Sequence, residues 1–364
     1  MDTKERIKTF LGAEPAKRVM LLCDDDFDAI TELRLRAELP MFVRLAGRDY
    51  VFTSQGKALY TGHDKPLHGA QHIYRPSAAD IDETIERISQ YSFYAFESEL
   101  CQGYITLPGG HRVGVAGQAV IEKGVVRSWR HISSINFRVA RSVRGCADGI
   151  LPFLYEVSGT TCAKPRIFHT MIISPPGGGK TTLLRDIVRQ ISDGALLRDN
   201  PWQISNSTPN HKRPAKDMNG KNANIVDCTG STMRHIEGLT VGLIDERSEV
   251  AGCFRGVAQN DVGLRTDVLD GCPKAEGMVM LLRAMSPDVI AVDELGGKGD
   301  AEAVEAVLTA GVRLLCTAHG NGLDDIKKNP ALTGLVNRKV FQRYIVLSTP
   351  GKGAVILDED GHTL

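Results

Sequence analysis

The segment Ser174-Pro-Pro-Gly-Gly-Gly-Lys-Thr-Thr182 sets three glycines, one lysine and two hydroxyls in succession between an apolar run, HTMII at 169–173, and a helix-patterned stretch, TTLLRDIVRQIS. Strand, glycine loop, helix is the context in which a phosphate-binding loop works. The glycines let successive backbone N–H groups turn inward to phosphate oxygens. Lys180 reaches the terminal phosphates as a point charge, and the Thr181 hydroxyl is placed to ligate Mg²⁺. The helix that follows adds the positive field of its N-terminus. Ser174, Pro175, Pro176, Gly177, Gly178, Gly179, Lys180, Thr181 and Thr182 are therefore expected to hold ATP. The GxxxxGK[ST] pattern asks for glycine where the chain has Ser174, and a positive φ would strain serine there.

Two carboxylates complete that chemistry. The apolar run DVIAV at 288–292 ends in Asp293 and Glu294. An acid at the carboxyl end of such a strand can hold Mg²⁺ through its water shell, and a following glutamate can polarise an attacking water. Asp293 is thus expected on the metal and Glu294 as the base. A second pair, Asp245 and Glu246 in VGLIDERSEV, is placed to share the positioning of that water. His319 closes the strand-like run LLCTAH and is expected at the same edge, sensing or bonding the terminal phosphate. Arg247, Arg255 and Arg265 lie in a long Gly-rich stretch without helical period, and are candidates for an arginine finger as well as for ordinary surface ion pairs.

These residues need a scaffold, and the pattern supplies one. From HTMII onward, apolar runs TVGLI (240–244), DVIAV (288–292) and VRLLCTA (312–318) alternate with helix-like EGMVMLLRAM (276–285) and AEAVEAVLTAG (301–311). Such alternation predicts an α/β domain with a mostly parallel sheet, over residues 158–364. RYIVLSTPGKGAVILD predicts a closing hairpin. Residues 196–237 are rich in Asn, Ser, Thr, Pro and Lys and read as an insertion, expected to be mobile between Asn206 and Ala223. Residues 1–157 predict a smaller α+β domain: helix-like 78–96, then β-hairpins from Gly103 to Val143 around Gly-Gly and Lys-Gly turns.

The 44 basic and 44 acidic residues among 364 cancel, and 42% of the chain is hydrophobic. That balance excludes a disordered chain and a cationic nucleic-acid coat. The first residues carry no apolar h-region, and Ala303 to Ala318 is broken by Glu305 and Arg313, so a cytoplasmic address is expected. The eight cysteines form no CxxC pair, which leaves buried free thiols as their reading.

PPGGGKTTLLRD, IDERSEVAGCFRGVAQNDVGLRTDVLDGCPKAEGM and MSPDVIAVDELG together resemble the stage III sporulation AA family of endospore-forming bacteria, as does INFRVAR at 135–141. LLRAMSPDVIAVDE and DAEAVEAVLTAGVRLLCTAHGN are similar, in turn, to the Walker B and histidine boxes of type II and type IV secretion ATPases and pilus motors. IDERSE falls where their acidic box lies. The resemblance implies a RecA-like P-loop ATPase domain behind a smaller N-terminal domain, closed into a homo-oligomeric, hexameric ring. It also implies a mother-cell protein attached to the forespore-facing membrane through membrane-embedded channel proteins. Two other readings stay open: a nucleic-acid-translocating RecA-like ATPase, and a nucleotide switch that does not hydrolyse. The cluster Arg127, Arg130, His131, Arg138, Arg141 and Arg144 favours the first of these, but only Trp129 and Phe137 are at hand for base stacking and the chain is neutral, so nucleic acid is not the expected partner.

Overall fold

The computed structural model describes residues 3–61, 72–89, 97–101, 103–140, 143–156, 165–198, 225–226, 232–297, 299–348 and 353–364. Two compact units emerge, Met1–Arg141 with Gly252–Gln259, and Ser142–Ala251 with Asn260–Leu364.

In the first unit, helices α1 (Thr3–Phe10), α2 (Ala13–Val19) and α3 (Asp24–Asp28) precede strands β1 (Ile30–Arg36), β2 (Phe42–Leu45), β3 (Arg48–Phe52) and β4 (Ala58–Tyr60). After α4 (Ala78–Ile88) and α5 (Glu97–Cys101) come β5 (Tyr104–Leu107), β6 (His111–Glu122) and β7 (Val125–Arg138). The sheet has seven strands in the order β4-β3-β2-β1-β7-β6-β5. Ser77 and Asp80 form a capping box that starts α4, and the helix buries Ile81, Ile85 and Ile88 from one face. The helical pattern expected over 78–96 stops at Ile88, and 90–96 lie outside the described residues. The β6–β7 hairpin turns at Lys123 and Gly124, both at positive φ, as the Lys-Gly signal predicts. Gly252–Gln259 joins this unit from far along the sequence: Phe254 packs on its core, and Gly109 N–H donates to Gln259 Oε1 at 3.0 Å.

The second unit contains β8 (Thr170–Ser174), α6 (Lys180–Asp193), β9 (Ala195–Arg198), β10 (Ile225–Val226), β11 (Thr232–Ile236), β12 (Val241–Asp245) and β13 (Thr266–Asp270). It continues through α7 (Lys274–Ala284), β14 (Val289–Val292), α8 (Asp300–Thr309), β15 (Arg313–His319), α9 (Leu323–Lys328), α10 (Thr333–Asn337), β16 (Arg343–Leu347) and β17 (Ala354–Leu357). Its seven-stranded sheet runs β13-β12-β14-β15-β8-β16-β17, parallel throughout except for the β16–β17 hairpin. Every residue of β8, β12 and β14 is buried, which is what a sheet covered on both faces demands of its central strands.

Three sequence expectations change. The division between units falls at Arg141/Ser142 rather than 157/158. The cause is local: Ala147 N–H donates to the buried Asp186 carboxylate of α6 at 2.9 Å, and Tyr155 bridges Ile167, so 143–156 belongs with the second unit. The long Gly-rich stretch after Arg247, without helical period, contains β13, an edge strand whose half-exposed, acid-bearing TDVLD sequence hides its strand character. The 196–237 insertion contributes a three-stranded sheet, β10-β11-β9, while 199–224, with the Asn206–Ala223 stretch expected to be mobile, lie outside the described residues. Among the described residues no helix is long and apolar enough to cross a membrane.

His169, just before β8, gives the sheet a pH limit. Its buried ring accepts the Leu314 N–H at Nδ1, 3.1 Å away. Burial, reinforced by the Arg313 and Arg166 charges, lowers its pKa to about 4. Protonation would add the second proton at Nδ1 itself, against the amide it accepts from. The folded pKa lies below the unfolded one, so stability is full above the unfolded value and falls as pH drops towards 4. Chemical unfolding near pH 7.5 and near pH 5 should show the wild type losing about 2 kcal/mol more than His169→Gln over that interval. Equal losses in the two proteins would remove His169 as the cause.

Candidate functional site

Because the sheet is parallel, the carboxyl ends of β8, β12, β14 and β15 open on one edge. Register places Ser174 beside His319 and Val292 beside Cys316, so the residues that follow each strand converge.

The loop after β8 is shaped by its glycines. Gly177 and Gly179 take φ of 75° and 91°, and a Cβ on either would meet nothing within 4 Å. α6 starts at Lys180 without a side-chain cap, leaving its first-turn N–H groups free of intrahelical partners and aimed at the loop. Pro175 and Pro176 have no N–H to give, so amide donors begin at Gly177. Ser174 is fully buried within β8, avoids positive φ, and bonds its hydroxyl to Pro175 O at 2.9 Å. Its fit depends on Gly178, where an added Cβ would come within 2.1 Å of Ser174 Oγ. The serine is therefore unstrained and forms the floor of the loop.

Over this loop lies a network of charges. Lys180 Nζ donates to Glu294 Oε1 at 2.9 Å, His319 Nε2 lies 2.6 Å from the same oxygen, and Arg247 Nη1 donates to Glu294 Oε2 at 3.0 Å. Burial alone would push the Glu294 carboxyl up. The Lys180 hydrogen bond and charge, with His319 and Arg247, outweigh it and hold the carboxyl below the usual range. Glu294 sits at φ 61°, a left-handed conformation that non-glycine residues keep only where their surroundings enforce it. Asp293 meets the loop differently, accepting the Thr181 hydroxyl at Oδ2, 2.9 Å away.

The second acidic pair divides its roles. Asp245 is buried and accepts three backbone N–H groups, from Glu249, Val250 and Ala251, at 2.7–3.0 Å. It organises the 249–251 turn through those amides while lining the same cleft as Glu246, Asp293 and Glu294. Burial pushes its pKa up against the pull of those amides. Arg185 of α6 clamps the same turn, donating from Nη2 to Glu249 O at 2.7 Å and from Nε to Val250 O. Glu246 lines one cleft with Asp245, Arg247, Glu249, Lys274, Asp293 and Glu294, and pairs with Lys274 at 2.8 Å. Of the loop arginines, Arg247 alone meets Glu294. Arg265 donates to Ser192 O, and Arg255 lies over the Phe254 ring in the first unit. Arg144 pairs with Asp261, and Arg141 lies outside the described residues. Sequence reading missed Arg185 and Thr317; the signal for Thr317 was a hydroxyl two positions before His319, hence on the same face of an otherwise apolar strand.

The donor set suits a magnesium triphosphate. Mg²⁺ keeps most of its waters and takes one or two protein oxygens, and Thr181 Oγ1 with the Asp293 carboxylate provides such a pair. Uncapped amides, two open glycines and one ammonium face the same space, as phosphate oxygens require.

Comparison with known proteins places the chain among relatives. It is 40% identical over 294 residues to stage III sporulation protein AA of Bacillus subtilis, covering 80% of this chain and 81% of that one. It is 26% identical over 319 residues to ycf45 of Porphyra purpurea, covering 87% of this chain and 44% of that one. The X-ray structure of the Yersinia pseudotuberculosis ATPase DotB superposes with a TM-score of 0.50 at 12% identity, over 96% of this chain and 81% of that one. That likeness concerns the fold, and agrees with the P-loop arrangement of β8, its loop and α6. The family described as "Sporulation stage III, protein AA" matches residues 1–364, and the chain belongs to that family.

Proposed function

We propose that this protein is an ATP-hydrolysing motor of the secretion-ATPase type. One observation carries the reading: a glycine loop at a helix N-terminus has Lys180, Thr181, Asp293 and Glu294 converging on it. The loop amides and Lys180 bind the phosphates. Thr181 and Asp293 would hold Mg²⁺, which supplies charge neutralisation on the phosphate oxygens when bound. A triphosphate competes with Glu294 for Lys180. The glutamate oxygen released from Lys180 then takes the proton of the attacking water, while Arg247 and His319 keep the carboxylate oriented.

As a member of its family, the protein is proposed to assemble as a homo-oligomeric ring and to act on membrane-embedded sporulation channel proteins from the mother-cell cytoplasm. The family name and the 40% identity to the Bacillus subtilis protein support this setting. Phosphate release by purified protein with ATP and Mg²⁺ tests the reading. Turnover indifferent to single-stranded DNA is expected; turnover that appears only with DNA and vanishes with salt would replace the motor by a nucleic-acid translocase.

The loop floor gives a second test. Gly178→Ala sets a Cβ against Ser174 Oγ and should weaken ATP binding roughly tenfold, the effect of about 1.4 kcal/mol of loop distortion. Adding Ser174→Gly removes that clash and should recover most of the affinity in a binding titration. A double variant no better than Gly178→Ala would show that the Ser174 contact does not shape the loop.

A further inference from the structure

Thr317 lies in the middle of the site, fully buried, and makes three hydrogen bonds to three consecutive residues. Its hydroxyl donates to Asp293 Oδ1. The same oxygen accepts the Glu294 N–H at 2.8 Å, and its carbonyl accepts the Leu295 N–H at 2.8 Å. A hydroxyl has one proton to give and two lone pairs, and here it is donor to one acid and acceptor from the next. Asp293 is thereby fixed from both sides, by Thr317 at Oδ1 and by Thr181 at Oδ2. Glu294 is fixed in the left-handed conformation that returns its carboxylate to Lys180.

We propose that Thr317 is the positioning residue of the reaction, setting the metal-binding acid and the base with one hydroxyl. The proposal rests on the ATPase reading and adds to it a fully buried residue whose hydroxyl acts through Asp293 and Glu294. Without the hydroxyl, Asp293 Oδ1 loses its Thr317 partner, the Glu294 N–H loses its acceptor, and of the Thr317 bonds that hold Glu294 at positive φ only the carbonyl to Leu295 N–H is left. Serine reproduces both bonds; valine keeps the shape and reproduces neither.

The test compares full-length wild type, Thr317→Val and Thr317→Ser, measuring kcat and KM for ATP and the Kd of a fluorescent ATP analogue with Mg²⁺ and with EDTA. Thr317→Val should lower kcat about 10–100-fold, the usual loss for a group that orients a metal ligand, with KM changed less than about threefold. The gain in analogue affinity on adding Mg²⁺ should shrink, while the affinity in EDTA stays as in the wild type. Thr317→Ser should restore both quantities. Valine with wild-type kcat and an undiminished Mg²⁺ effect overturns the proposal, as does serine failing as badly as valine. If Thr317→Val does not fold, Thr317→Ala against Thr317→Ser isolates the same hydroxyl with the same two outcomes. A wild type that binds Mg²⁺ and the analogue without turnover sinks the motor reading and leaves the Mg²⁺ effect to decide on Thr317; a wild type that binds neither sinks both.

Discussion

Lys180→Ala is expected to weaken ATP binding by a hundredfold or more. The ammonium is the one side-chain cation at the head of α6, and the structure holds it against Glu294 at 2.9 Å in a mostly buried position. Charge-assisted hydrogen bonds to phosphate contribute on the order of 1.5–3 kcal/mol each, and the loss of about 3 kcal/mol corresponds to roughly two powers of ten in Kd. The loop amides stay in place, so residual binding should be weak and insensitive to whether the nucleotide carries two phosphates or three. Fold is expected to survive, because Glu294 keeps His319 and Arg247 as partners. Equilibrium titration with ATP and ADP measures the effect; a variant that still favours ATP as the wild type does would take Lys180 out of the site.

Glu294→Gln separates binding from chemistry. A general base contributes about 10²–10⁴ in rate, so turnover should fall by that range. Binding should improve at the same time. In the wild type the Glu294 carboxylate occupies both Lys180 and Arg247, and a triphosphate must compete with it for the lysine. The neutral amide competes poorly, which should tighten ATP binding several-fold, an effect of about 1 kcal/mol. Single-turnover hydrolysis together with a binding titration reads both quantities. A variant that hydrolyses at the wild-type rate would move the base elsewhere, with Glu246, in the same cleft and held by Lys274, next to be examined. Reduced turnover with weakened binding would contradict the competition between Glu294 and phosphate.

Much of this site can be read from residue order because its chemistry is local. Ser174 to Thr182 is contiguous, and a parallel sheet sends Asp293, Glu294 and His319 to the edge where that loop lies. The α/β pattern is legible for the same reason: β8, β12 and β14 are unbroken apolar runs. What escapes the sequence depends on pairings between distant segments. Asp245 looks in sequence like a second acid and nothing more, yet its carboxylate also gathers the three amides of 249–251. Asp186 looks like an ordinary helix residue, yet it binds Ala147 N–H and draws 143–156 away from the N-terminal unit. Thr317 has no motif of its own, since its role comes from the turn of a neighbouring strand. β13 is hidden because an edge strand tolerates acids that a central strand would exclude.

The most direct measurement is calorimetric titration of the full-length wild type with Mg²⁺ and ATP, ADP or AMP. A cradle of amides, Lys180, Thr181 and Asp293 predicts saturable heat with ATP, weaker binding of ADP, and none detectable with AMP, whose single phosphate does not reach the lysine. Equal heats for the three nucleotides, or no heat with any, would contradict it.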